Sequence, residues 1–203
     1  MPARPPPKPW PMKWIVVAIL VFIPAYTYLT LHYRRPGQAY EPFAEGRDRA
    51  TVERLLASGY RRVTLAATRP TEPLRTSAPA RLTTTSGGLP ADLATALVAP
   101  PLPPLHVTHV AAAREADAAQ PYLVDFVATL PDQKEELLDA QIYVQKGKLV
   151  LVPNFERVAG GLLVRSLETA VRLTVPAGVL PPGRYRVTLV ATHESRVWML
   201  TVK

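Results

Sequence analysis

The chain has 203 residues, no cysteine and a formal net charge of +8. The missing cysteines exclude a disulfide framework, a thiolate metal site and a cysteine nucleophile. The charge divides as +3 over residues 1–33, +2 over 34–131 and +3 over 132–203, a spread that suits a chain beside anionic lipid and argues against nucleic acid as a partner, which would call for a basic stripe interleaved with aromatics.

Residues 1–13 hold Arg4, Lys8 and Lys13, no acid, and six prolines, which predicts a basic cytoplasmic tail of extended polyproline geometry. From Trp14 to Tyr33 the sequence runs for 20 residues without a formal charge. As a helix this spans about 30 Å, one bilayer core. It is too long for the apolar centre of a signal peptide and ends in "YLTLHYRR" with no small-x-small cleavage site, so a retained transmembrane helix is expected. Trp10 and Trp14 flank one end; Tyr26, Tyr28 and Tyr33 flank the other, where amphipathic rings sit among headgroups. Pro24 falls in mid-span, removes one backbone donor and predicts a kink. The span is therefore the expected contact surface for membrane lipid and for an integral membrane protein complex, through Trp14, Pro24, Tyr26, Tyr28 and Tyr33. Arg34, Arg35, Arg47 and Arg49 follow the span, so Lys/Arg counts do not fix orientation. The short tail before it and the large segment after it favour a signal-anchor, with residues 34–203 exported to the periplasmic side.

Residues 34–68 predict a juxtamembrane segment with one amphipathic helix and one strand. Asp48 is the expected N-cap, Val52, Leu55 and Leu56 the apolar face, and Gly59 the stop. "RRVTLAAT" then alternates with Val63, Leu65 and Ala67 on one side. Residues 69–105 are rich in Pro, Thr, Ala and Ser and are expected to form a protease-sensitive linker with little core, with a turn or two of helix at "ADLATALV".

Residues 106–203 carry the densest pattern. Tyr122, Val124, Phe126 and Ala128 alternate with their neighbours, as do Val171, Leu173 and Val175. Ile142 and Val144 are joined to Leu149 and Leu151 by a tight "QKGK" turn, and Tyr185–Ala191 to Val197–Val202 by a turn at His193–Ser195. Seven or so strands without helices between them predict a mainly β domain, an antiparallel β-sandwich of immunoglobulin type. Tyr185, after Pro181, Pro182 and Gly183, fits the tyrosine corner of such domains.

The search for chemistry is less productive. His106 and His109 in "HVTH" would point to opposite faces of a strand, which disfavours shared metal ligation. "HES" at 193–195 reads as a polar hairpin tip, and Glu135, Glu136 and Asp139 as a solvated acidic loop. Gly87–Gly88 and Gly160–Gly161 lack the residues that complete a phosphate-binding motif. No enzyme activity and no cofactor are expected.

The short basic tail with Trp and Pro, the single span, the stretch "AYEPFAEGRDRATVERL" and the ending "LPPGRYRVTL" with a Trp-containing last strand resemble the FixH family of membrane-anchored accessory proteins. The resemblance covers the two ends of the chain and not its Pro/Thr/Ala-rich middle. It implies an immunoglobulin-like exported domain and a role in assembling or supporting a haem–copper cytochrome oxidase. It assigns no functional residue. An accessory subunit or assembly factor of a membrane complex is the expected function, and a membrane-tethered module binding a peptide, glycan or cell-envelope component is the alternative.

Overall fold

The computed structural model describes residues 12–33, 44–157 and 166–203. The polyproline tail with Trp10, the stretch 34–43 and the Gly160–Gly161 pair lie outside these, as does the side chain of Tyr33. The chain divides into two compact units, Met1–Glu41 and Pro42–Lys203.

In the first unit, α1 (Met12–Tyr33) runs unbroken through Pro24, and its described side chains are all exposed. Over Met12–Thr30 it is long and apolar enough to cross a membrane. Two aromatic pairs form along it at i, i+4 spacing: Phe22 stacks on Tyr26 with centroids 5.9 Å apart, and Tyr28 on His32 at 5.7 Å. The Thr30 hydroxyl donates back to the Tyr26 carbonyl at 2.6 Å, which satisfies a polar side chain inside an apolar helix.

The second unit is mainly β. Among the described residues it has ten strands: β1 (Arg61–Thr68), β2 (Thr83–Ser86), β3 (His106–Ala112), β4 (Glu115–Ala116), β5 (Tyr122–Thr129), β6 (Glu135–Gln145), β7 (Lys148–Arg157), β8 (Glu168–Val175), β9 (Gly183–Leu189) and β10 (Glu194–Val202). Two helices join them, α2 (Ala44–Ala57) and α3 (Ala91–Ala96). The sheet runs β10-β3-β5-β8-β1-β6-β7-β9 and returns to β10, so it closes on itself as a barrel, with β2 and β4 added along β10. This corrects the expected antiparallel sandwich. Two parallel contacts, β7 with β9 and β10 with β3, join what would otherwise be separate sheets, and a closed ring leaves fewer edges to protect.

Alternation in the sequence fills the barrel. Tyr122, Val124, Phe126 and Ala128 of β5, Val171, Leu173 and Val175 of β8, and Trp198, Leu200 and Val202 of β10 meet in one buried core. Trp198 donates its Nε1–H to the Tyr122 hydroxyl at 3.0 Å, and that hydroxyl donates to the Ala113 carbonyl at 2.9 Å, so both buried polar groups are satisfied. The Tyr185 hydroxyl donates to the Pro181 carbonyl at 2.7 Å across the corner that opens β9.

A second cluster lies on the outer face of β6 and β7. Tyr143, Val150 and Val152 point away from the barrel and are covered by Leu55 of α2 and by Leu93 and Ala96 of α3. Gly59 stops α2 at φ 75°, with the amide of Tyr60 bonded to the Leu55 carbonyl. Asp48 is not the N-cap: it lies within α2 and pairs with Arg62 of β1 at 2.6 Å. Only Leu55 of the expected apolar face is buried, beside Thr51, whose hydroxyl bonds the Arg47 carbonyl. Val52 is 39 % and Leu56 66 % exposed, because packing on a convex barrel engages a stripe one residue wide rather than three.

Residues 69–105 are likewise part of the barrel unit rather than a linker. They supply β2 and α3, and β1 before them sits between β8 and β6, so a domain starting at residue 106 would lack a central strand. Proline lacks an amide donor but keeps its carbonyl, and this segment is held through carbonyls: Pro104 accepts from the amide of Thr192 at 2.8 Å and Pro103 from its hydroxyl at 3.2 Å. Near its start Arg172 makes a bidentate pair with Asp125 at 2.7 Å for each bond, and the same groups bind the Glu72 carbonyl and the Leu74 amide. Glu135, Glu136 and Asp139 are not a loop either: they open β6 opposite Arg157, Glu156 and Asn154.

Candidate functional site

A cleft of about 390 Å³ lies on the outer face of the barrel unit. Its floor is β7, β9 and β10, contributing Lys148, Val150, Arg186, Thr188 and Val197. One wall is Thr85 and Ser86 of β2 with the Gly87–Gly88 turn, and the other is Tyr60 with the start of α3.

Local sequence explains each wall. β2 is four residues of Thr and Ser paired with Val197–Glu194, so the wall it supplies carries no large apolar side chain, and alternation puts Thr85 on the same face as Val197. Gly87 presses its backbone against the β9–β10 turn, donating its amide to the His193 carbonyl at 2.9 Å. A Cβ at Gly87 would collide with the Thr192 carbonyl oxygen and the His193 backbone, and Gly88 sits at φ 89°, so the wall requires this dipeptide.

The electrostatics are those of a cationic cleft with one acid at its side. Asp92 Oδ2 accepts from the Tyr60 hydroxyl at 2.8 Å and pairs with Lys148 at 3.4 Å, while Oδ1 accepts from the Leu93 amide at 3.0 Å. The Tyr60 hydroxyl first, then the Leu93 amide and Lys148, hold the Asp92 carboxyl below the usual carboxylate range. Burial, reinforced by Asp92, pushes the Tyr60 hydroxyl well above its ordinary value. The pair thus keeps one protonation state across neutral pH and serves to place α3 and orient Lys148.

Arg186 is the register partner of Lys148 in the parallel β7–β9 pair. Its side chain has no hydrogen bond or ion pair among the described residues, and neither has that of Arg184 two positions earlier on the same face. Lys146, exposed in the β6–β7 turn, adjoins them, because the Gly147 carbonyl accepts the Arg186 amide at 2.9 Å. The positive charge that is spread along the sequence is therefore gathered here: Lys146 and Lys148 meet Arg184 and Arg186, 38 positions further on in each case.

The residues singled out from the sequence lie elsewhere. Trp14, Pro24, Tyr26 and Tyr28 are on α1, Leu55 supports the outer cluster, Val52 and Leu56 are exposed on α2, and Tyr185 closes its corner. His106 stacks on His193 with centroids 4.9 Å apart, whereas His109 sits at φ 48° in the irregularity that separates Thr108 from Ala111 in β3. Among the described residues no group of three or more His, Cys, Asp or Glu gathers as a metal site. Ser195 is buried and its Oγ accepts from the Ala191 amide at 3.3 Å, so "HES" is a hairpin tip whose serine stitches the turn. No protein-family model matches the chain, and no curated protein or solved structure is significantly similar to it.

Proposed function

We propose that this chain is a non-catalytic, single-pass membrane protein that acts as an accessory subunit or assembly factor of a membrane complex, with its barrel on the exported side. The observation that carries this reading is α1: a helix of membrane-crossing length, free of formal charge from Trp14 onward, with Pro24 near mid-length and aromatic pairs at Phe22–Tyr26, across the proline, and at Tyr28–His32. A tether needs only an apolar run. Stacked rings on either side of a proline supply a shaped surface for another helix at bilayer level. The exposed Val52 and Leu56 of α2 offer a second contact close in sequence to the span. A respiratory complex is the partner implied by the FixH resemblance.

The test is a span exchange. With α1 replaced by an unrelated apolar helix, the barrel should still fold and be exported but no longer co-purify with its complex in mild detergent, and Pro24→Leu should weaken the association in part. If the exchanged protein keeps every association of the parent, the span is only a tether. A second reading, a membrane-tethered module that binds a cell-envelope component, then takes first place; the cationic cleft favours it.

A further inference from the structure

We propose that the cleft between β2 and α3 is a binding site for a phosphate-headed small molecule, gripped between Arg186 and Lys148. The inference deepens the second reading above and is independent of what the span contacts. Three observations converge on it. Arg186 and Lys148 are register partners on adjacent parallel strands, which sets their Cα atoms about 4.8 Å apart and lets both side chains reach one anion. Arg186 opens into the cleft without a partner of its own, and Arg184 and Lys146 at the same end raise the positive potential without neutralising each other. Across from them Thr85 lines the β2 wall, and Thr188 adds a second hydroxyl side chain on the floor beside Val150 and Val197.

A phosphate fits this set better than a carboxylate. It carries close to two negative charges and three strong acceptor oxygens, enough to use both cations and a hydroxyl at once. The cleft volume falls at the lower end of the range for small-ligand sites, so a phosphate on a body of sugar or glycerol size would fill it. Asp92 is the built-in competitor: it holds Lys148 at 3.4 Å, and an arriving phosphate takes the ammonium from it. Asp92 remains satisfied afterwards, since Tyr60 and the Leu93 amide still donate to it.

That competition gives the site a signature that a diffuse basic patch lacks. Asp92→Asn keeps an acceptor for Tyr60 and removes the negative charge that competes for Lys148, so it should tighten phosphate binding several-fold. Arg186→Gln removes a charge-assisted contact and should weaken binding about tenfold or more. Lys134→Gln, an exposed cation at the far end of β6, should leave it unchanged. The source of the phosphate is decided by the probe. The full chain in mild detergent is titrated by calorimetry with inorganic phosphate and with glycerol phosphate, and the full chain in nanodiscs is compared between phosphatidic acid and phosphatidylcholine. Saturable binding of the soluble probes marks a free phosphate ester. Binding confined to phosphatidic acid discs marks a lipid headgroup. Either, weakened by Arg186→Gln and strengthened by Asp92→Asn, supports the site. No saturable binding in any arm, or binding on which Arg186→Gln and Lys134→Gln act alike, overturns it. Arg186 is exposed and unpaired, so its variant should unfold at the parent's temperature.

Discussion

Replacing Leu93 by alanine asks whether the Pro-rich segment belongs to the barrel unit. Leu93 is fully buried in α3, against Leu55 and Tyr60 on one side and Tyr143, Val150 and Val152 of the sheet on the other. Leu→Ala at such a site costs about 2 to 5 kcal/mol, the upper half applying where the walls cannot collapse. Here the walls are two paired strands and a Gly-stopped helix, so the loss should be about 3 to 4 kcal/mol. For a chain of this length that is a fall of roughly 10 °C in Tm. Leu102, in the same Pro-rich segment but 53 % exposed, serves as the comparison: Leu102→Ala should cost less than about 0.5 kcal/mol. Urea and thermal unfolding of the full chain in mild detergent, followed by circular dichroism, measure both. If the two variants lose equally little, α3 does not pack on β6 and β7, and residues 69–105 are a linker after all.

Three further outcomes are expected. Tyr185→Phe removes the bond to the Pro181 carbonyl and should cost about 1 kcal/mol, read from the same denaturation curves; an unchanged midpoint would leave the tyrosine as plain packing. Asp125→Asn breaks a bidentate pair with Arg172 and should cost about 1.5 to 3 kcal/mol while exposing residues 69–79 to limited proteolysis. The third concerns pH. Asp92 is held below its ordinary range when folded, so its contribution is complete above about pH 4 and fades as the pH falls through the folded value; Asp92→Asn should flatten that acid limb. Burial pushes Tyr143 up to about 12, and Tyr60 and Tyr122 are raised as well, so they favour the fold below pH 10 and the benefit is lost as the pH climbs past 10 toward 12. Tyrosinate absorbance from these three should appear only with unfolding.

The strands were legible where one face alone is buried, as in β5, β8, β9 and β10, because period-2 alternation is then written into the residues themselves. They were half-legible in β6 and β7. "LVLV" at 149–152 is a continuous apolar run, and such a run means cover on both faces; α2 and α3 are that cover, supplied from sequence positions about 50 to 100 residues earlier. Closure of the barrel was not legible, since it depends on the parallel contacts of β7 with β9 and β10 with β3, which no local pattern encodes. The Pro-rich stretch misled for a physical reason: composition reports lost amide donors and hides the carbonyls through which Pro103 and Pro104 are bonded. The cleft was invisible for the same non-local reason. Lys148 and Arg186 are ordinary exposed strand cations until the strands meet, and "GG" at 87–88 has no phosphate motif around it; its signal was the run "TTTSGG", hydroxyls leading into a turn that tolerates no side chain.

The central claim, a retained span with the short tail on one side and the barrel unit exported on the other, meets its most direct test in side-selective labelling. The chain contains no cysteine, so single cysteines report cleanly. Ala3→Cys marks the tail, and Gln133→Cys marks the exposed β5–β6 connection; Ser195 is buried and would not serve. With a membrane-impermeant maleimide on intact cells, Gln133→Cys should label, Ala3→Cys should label only after permeabilisation, and both should migrate at the full-length mass. Labelling of Ala3→Cys alone in intact cells, or loss of the residues before Tyr33 from the mature chain, would contradict it.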